Sequence, residues 1–148
     1  MLTTAEKVLF LKGIDLFSAL AGEDLAEIAV IAEEIERDAG ETLVVEGEPG
    51  DTLYFVLDGR VRVHRGDQPV AELGAREVFG EMALLDPAPR SASVSALTDV
   101  TLLAIGREDF DDIMRDRPEV AIGVIKVLVR RLRAAIAAAS APPRPSRP

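Results

Sequence analysis

Between Phe79 and Val94 the chain reads Phe-Gly-Glu-Met-Ala-Leu-Leu-Asp-Pro-Ala-Pro-Arg-Ser-Ala-Ser-Val, and the residue types in this stretch can act together on one ligand. Gly80 lets a ligand approach the backbone and leaves its N–H available. The turn from Glu81 to Leu85, with Met82 and Ala83 at its start, is expected to aim free N–H groups at an anion, as helix N-termini do. Arg90, nine residues beyond Glu81, supplies a planar guanidinium that can hold two phosphate oxygens at once. Ser91 adds a hydroxyl donor, and Ser93 adds one on the side of a nucleobase. A carboxylate repels a phosphate, so Glu81 fits such a site only if its partner is a neutral donor such as a ribose 2′-OH, with Arg90 offsetting the charge. The ligand class expected is a small phosphate on a sugar with a free hydroxyl. The stiff loop Asp86-Pro87-Ala88-Pro89 fixes Arg90 relative to the turn and lowers the entropy cost of ordering the site.

Composition limits the other possibilities. The chain has 148 residues, 48% of them hydrophobic, enough for one domain with a core of its own. Its net charge of −9 opposes phosphate backbones in general, so a phosphate site must be a local pocket carrying its own cation. Aromatics are only 4% of residues and Trp is absent, which argues against binding by base stacking, and no direct nucleic-acid binding is expected. With no cysteine and with His64 as the single histidine, disulfides, thiol catalysis, zinc–thiolate sites and Ser-His-Asp triads have nothing to build on, and no enzyme is expected. The opening Met-Leu-Thr-Thr-Ala-Glu-Lys lacks the basic start of a signal peptide. No apolar run approaches the ~18 residues of a membrane helix, and the expectation is a cytoplasmic domain.

The elements that must position the motif follow from hydrophobic period. Helices are expected over about 3–33, with Thr4 capping the first and a second over about 23–33. Strands are expected over about 35–105, cut by glycine turns at 38–40, 46–51, 57–59 and 65–67. Asp58-Gly59 between Leu53–Val56 and Val61–His64 reads as a hairpin turn. Arg60, Arg62 and His64 alternate with Val61 and Val63, giving that strand a wet and a dry face. About eight short strands at this spacing predict a closed roll or sandwich. From Arg107 to about 139 the period is helical again, with acids at 108–112 favouring a helix N-terminus and Pro118 a new first turn. Ala121, Ile125, Leu128, Leu132 and Ala135 or Ile136 form a seam that can pack within the chain or against a second copy as a homodimer. The Pro-rich stretch 141–148 reads as a tail or linker.

The stretch 79–94 resembles the phosphate-binding cassette of the cyclic-nucleotide-binding domain family, which includes receptor proteins, kinase regulatory subunits and gated channels. It matches at full length the pattern Phe-Gly-Glu, apolar, Ala-Leu, a short loop, Pro-Arg, small, Ala, Ser/Thr, Val. Gly47, Gly50-Asp51, Tyr54, Gly59 and Leu73-Gly74 are also family-like, and the likeness covers about 14–136. Arg76-Glu77 departs from it, where the family often has a Gly-Asp turn. The resemblance implies an α+β, mainly β fold: an antiparallel eight-stranded, jelly-roll-like β-roll with N-terminal helices and C-terminal lid helices. It implies no cofactor and one ligand, 3′,5′-cyclic AMP or cyclic GMP. By position, Glu81 would take the ribose 2′-OH and Arg90 the cyclic phosphate, with the backbone of Gly80 and Ala83, and Ser91, completing the phosphate nest. Val63, Leu73, Val129, Leu132 and Arg133 are the candidate contacts to the base, the last three from a closing helix. The family's DNA-binding members carry a helix-turn-helix after that helix. Here a short tail follows instead, so the expected setting is a stand-alone sensor or one domain of a larger channel, transporter or kinase, on the cytoplasmic side of the membrane if part of a membrane protein.

Blander readings stand beside these. Glu81 and Arg90 could form only a structural ion pair, which leaves a ligand-free dimerisation or scaffold domain of the same fold as the alternative function. Arg130, Arg131 and Arg133 with Lys126 read as a solvated basic face.

Overall fold

The computed structural model describes residues 1–140; the segment 141–148, expected to be a tail or linker, lies outside the described residues. Helix α1 (Thr4–Leu11) begins one residue earlier than expected: Thr3, not Thr4, is the cap. Its hydroxyl accepts the Glu6 N–H at 3.1 Å, and the Glu6 carboxylate accepts the Thr3 N–H at 3.1 Å. This reciprocal box needs an acid three residues after the cap, and only Thr3 has one. A 3₁₀ turn (Asp15–Phe17) and α2 (Gly22–Ile31) follow. The N-terminal helices therefore stop at Ile31 rather than 33, because Glu33 opens the first strand.

Eight strands make two four-stranded antiparallel sheets: β1 (Glu33–Arg37), β2 (Thr42–Val44), β3 (Thr52–Asp58), β4 (Val61–Arg65), β5 (Gln68–Leu73), β6 (Val78–Phe79), β7 (Ser93–Ala96) and β8 (Val100–Gly106). One sheet runs β1-β8-β3-β6 and the other β2-β7-β4-β5. The expected eight-stranded roll is present, but the expected β3–β4 hairpin is not. Those two strands belong to different sheets, and Asp58-Gly59 carries the chain over the edge between them. Gly59 has φ +92°, and a Cβ there would lie 2.4 Å from the Asp99 carbonyl oxygen. The turn is tight because it is wedged against the segment before β8, not because two paired strands meet. The hairpin in this region is β4–β5, with Arg65 opposite Gln68 and φ +56° at Gly66, the conformation a glycine-first turn demands.

Strands β3 and β8 are buried on both faces. Val56 and Leu102 point into the roll with Val61, Phe79 and Val94. Leu53, Phe55, Leu103 and Ile105 point outward against α1, α2 and the C-terminal helices, where they meet Leu11, Phe17, Ile28 and Phe110. Phe17 and Phe110 stack at 5.7 Å, joining the two helical ends of the chain. Truncating a buried Phe of this kind costs roughly 3–5 kcal/mol.

Helices α3 (Arg107–Asp116) and α4 (Pro118–Ser140) close the fold, with Pro118 at the first position of α4 as expected. Between them Arg117 donates to Asp24 of α2 at 2.9 Å and approaches Glu27 at 3.5 Å. Asp24 is only 4% exposed, the one buried charged residue described. Helix α4 turns Val120, Gly123, Val124 and Val127 inward. Of the expected seam, Leu128 packs against the helical core, while Ile125, Leu132 and Ile136 are exposed, because the inward stripe is centred roughly 150° around the helix from those three.

Candidate functional site

The Phe79–Val94 segment folds into a shelf at one mouth of the roll. Strand β6 ends at Phe79, and Gly80, with φ +75°, turns the chain out of the sheet where an L side chain would be strained. The 3₁₀ turn Met82–Leu84 follows and buries Ala83 and Leu84. The loop then returns to pair with the turn after β2: Arg90 N–H donates to the Glu48 carbonyl at 2.9 Å, and Gly47 N–H donates to the Arg90 carbonyl at 2.9 Å. These two backbone bonds, with Pro49 bridged to Pro89, fix where the Arg90 side chain starts.

Two glycines fix where it goes. A Cβ on Gly50 would lie 1.8 Å from Arg90 Nε, and one on Gly80 would lie 2.5 Å from Arg90 Nη1. Arg90 thus runs through a slot that exists only because both positions lack side chains. Nη2 donates to the Thr52 carbonyl at 3.0 Å, which uses one of the five guanidinium N–H donors.

Beside the slot lies a cavity of about 490 Å³, within the ~300–1,000 Å³ usual for small-molecule sites. Val44, Val63 and Val94 give it an apolar wall, and Glu81, Arg90 and Ser91 give it a polar rim. Tyr54 stacks on Phe79 at 5.0 Å behind it. Gly80, Glu81, Met82, Ala83, Arg90, Ser91 and Val63 are all brought to this one cavity. The Ala83 N–H is already bonded to the Gly80 carbonyl at 3.2 Å, so the turn uses a donor that was expected to face the anion.

Other expected residues are placed elsewhere. The Ser93 hydroxyl accepts the Glu46 N–H at 2.9 Å and ties β7 to the end of β2. Leu73 pairs with Val61 and packs into the roll interior. Val129 and Arg133 line a separate groove with Ser18 and Ala19, and Leu132 is 61% exposed. None of the three lies over the cavity, because α4 packs along the 3₁₀ turn Asp15–Phe17 instead.

The residue of α4 that does reach the site is Arg131. It pairs with Glu81, whose side chain is only 16% exposed, and it donates to Asp15 at 2.7 Å. The hydrogen bond to Glu81, then that to Asp15, hold the Arg131 pKa above its ordinary value. Sequence reasoning placed Arg131 in a solvated basic cluster. A signal for its role was present: Val120, Val124 and Val127 mark the inward stripe of the helix, and Arg131 is the next position on it. A second arginine, Arg65, donates to the Ser91 carbonyl at 3.2 Å and braces the rim. Among the described residues, no group of three His, Asp or Glu side chains is placed to hold a metal ion. The arrangement can clamp an anion and a hydroxyl.

A sequence profile of the cyclic nucleotide-binding domain matches residues 34–117. A cyclic nucleotide-gated potassium channel of Rhizobium etli is 41% identical over 118 residues, covering 80% of this chain and 33% of the channel. The cyclic AMP receptor protein of Thermus thermophilus is 40% identical over 130 residues, covering 84% of this chain and 60% of the receptor. Among solved structures, the N-terminal domain of a transcriptional regulator from Streptomyces coelicolor A3(2) superposes with a TM-score of 0.81 at 40% identity, over 85% of this chain and 94% of that domain. The chain thus spans a third of the channel and three fifths of the receptor protein.

Proposed function

The chain belongs to the cyclic nucleotide-binding domain family, and we propose that it is a non-catalytic sensor that takes a 3′,5′-cyclic nucleotide, cyclic AMP or cyclic GMP, into the cavity beside Arg90. The observation that carries this reading is the two-glycine slot. Gly50 and Gly80 hold a guanidinium at the polar rim of a pocket with an apolar wall, and most of its donors are free. A fixed cation of this kind matches a monoanionic cyclic phosphate, since little rotamer entropy remains to be lost on binding. The Val44, Val63 and Val94 wall suits the flat face of a purine, and Glu81 on the rim suits the ribose 2′-OH.

The response follows from Arg131. In the structure Glu81 is held by α4. A ribose hydroxyl that takes this carboxylate competes with Arg131 and loosens α4 from the roll. Ligand occupancy is thereby converted into movement of the last helix, and whatever follows that helix in the intact protein reads it.

Parallel calorimetric titrations with cyclic AMP and cyclic GMP test the reading. A micromolar site corresponds to about −8 kcal/mol. Arg90→Ala is expected to weaken binding about 100-fold or more. Glu81→Ala is expected to weaken it less and to erase the preference for a free 2′-OH over a 2′-deoxy analogue. No heat and no thermal stabilisation at millimolar concentrations of either nucleotide would sink the proposal.

A further inference from the structure

The second groove of the molecule, away from the cavity just described, has a composition that neither the fold nor a nucleotide requires. It has a volume of about 520 Å³ and lies between α4 and the residues just after the Asp15–Phe17 turn. Ser18 and Ala19 form one wall, and Ile125, Val129, Lys126, Arg130 and Arg133 form the other. We propose that this groove docks a short acidic segment of a partner protein, one that carries apolar side chains between its carboxylates.

Charge is the first argument. The chain has 26 acidic and 17 basic residues, so a cation on its surface has acids to spare. Arg117 and Arg131, flanking the groove along the chain, take that opportunity: Arg117 lies within 4 Å of Asp24, Glu27 and Glu119, and Arg131 of Asp15 and Glu81. Among the described residues Lys126, Arg130 and Arg133 have no carboxylate partner, and the one side-chain bond from this group is Arg130 to the Ser18 hydroxyl at 3.1 Å. Three unpaired cations on one side of α4 span ~10 Å at a helical rise of ~1.5 Å per residue. They complement carboxylates set about one helical turn apart.

Shape and polarity narrow the occupant. Ile125 and Val129 are 55% and 40% exposed, and they sit one turn apart on the α4 wall of the groove, where they offer an apolar contact that a free inorganic anion would not use. The groove has no aromatic side chain on which a base could stack, and the net charge of −9 opposes a nucleic-acid backbone. Three cations fall short of the ~4–8 that mark an anionic-lipid surface. An antiparallel second copy would lay the cation row on its own image, a repulsive pairing. A peptide with alternating carboxylates and apolar side chains uses every feature of the groove.

The test uses the whole chain without nucleotide, so that its failure and that of the nucleotide reading are separate results. A short fluorescein-labelled helical peptide with Leu and Glu at successive one-turn spacings is titrated and followed by anisotropy, beside the same peptide with Gln for every Glu. The Glu peptide is expected to bind at least about tenfold more tightly than the Gln peptide. The double substitution Lys126→Glu with Arg130→Glu is expected to remove that advantage while the thermal midpoint stays unchanged. Equal binding of the two peptides, or no binding of either, overturns the proposal. So does a concentration-dependent dimer in sedimentation velocity that Ile125→Glu abolishes, since a second copy would then cover the groove. Sedimentation with phosphatidylserine vesicles that the charge reversal removes would assign the surface to lipid instead.

Discussion

Two arginines tie distant parts of this chain together, and they differ in what lies behind the acid each one holds. Arg117 joins the α3–α4 corner to Asp24 of α2, ninety-three residues away in sequence. Arg131 joins α4 to Glu81, fifty residues away, and to Asp15. In both cases hydrogen bonds to carboxylates raise the arginine pKa, led by Asp24 for Arg117 and by Glu81 for Arg131. Asp24, however, is itself a residue of α2 and only 4% exposed, so almost none of it faces solvent, and it does not line the cavity beside Arg90. Glu81 lines a cavity, so a ligand hydroxyl can reach the same carboxylate that Arg131 holds. Under the proposed function the same ionic chemistry is a fastener in the first place and an exchangeable contact in the second. The strength of an ion pair does not decide which it is; the accessibility of its acid to a third group does.

The sharpest test of the fastener is Asp24→Ala. Breaking a buried pair can cost ~3–5 kcal/mol, but the Arg117 left behind is a third exposed and can hydrate, so we expect a loss of about 2 kcal/mol. For a domain of this size that lowers the midpoint of thermal unfolding by roughly 5 °C. The nucleotide affinity of the folded protein should not move. If it does, the two clamps are coupled and the contrast between them fails.

Arg131→Gln tests the exchangeable contact and should act the other way. Stability falls slightly, and nucleotide binding becomes tighter by about fivefold, which is about 1 kcal/mol, the upper range for a partly exposed pair. Weaker binding in this variant would show that Arg131 holds Glu81 for the ligand rather than from it, making both arginines fasteners.

Asp15→Asn should have the smallest effect. Asp15 is two thirds exposed and gives Arg131 a secondary acid, so the affinity gain should stay within about twofold, in the same direction as for Arg131→Gln. A larger gain than that of Arg131→Gln would make the Asp15–Phe17 turn the main anchor of α4. Calorimetry on all three variants, with unfolding followed by circular dichroism, ranks them in one series.

The parts of this architecture legible in the sequence are those governed by local chemistry. The Phe79–Val94 segment carries its glycine, acid, turn and arginine in one short run, and the structure gathers most of them around one cavity. Strand positions and the C-terminal helices follow from period. Long-range packing decides the remainder. Asp58-Gly59 has hairpin chemistry, yet Val56 and Val61 on either side are both buried in the same space between the sheets, which requires the strands to part rather than pair. The face α4 turns inward depends on Ala19 and Leu20, which meet Gly123 from another element. Period alone admitted a different stripe, and the expectation that Val129, Leu132 and Arg133 close over a base came from the family resemblance, which carries no information on how this helix is rotated. In the sequence Gly80 stands out for backbone freedom and Gly50 only as part of a glycine turn; their fit around Arg90 needs residues 50, 80 and 90 side by side.

Strand β8 also bears on how the protein comes into being. It lies between β1 and β3 and pairs Val100–Ala104 with Glu33–Arg37, so one complete sheet depends on a segment made late in the chain. During synthesis, β1 and β3 wait with open edges and exposed apolar faces until Gly106 has left the ribosome. Such nonlocal closure places folding in the slower, millisecond-to-second range and makes the unfinished chain the aggregation-prone species. A nascent chain stopped before Val100 would lack the strand that joins β1 to β3, so the roll is either nearly complete or absent.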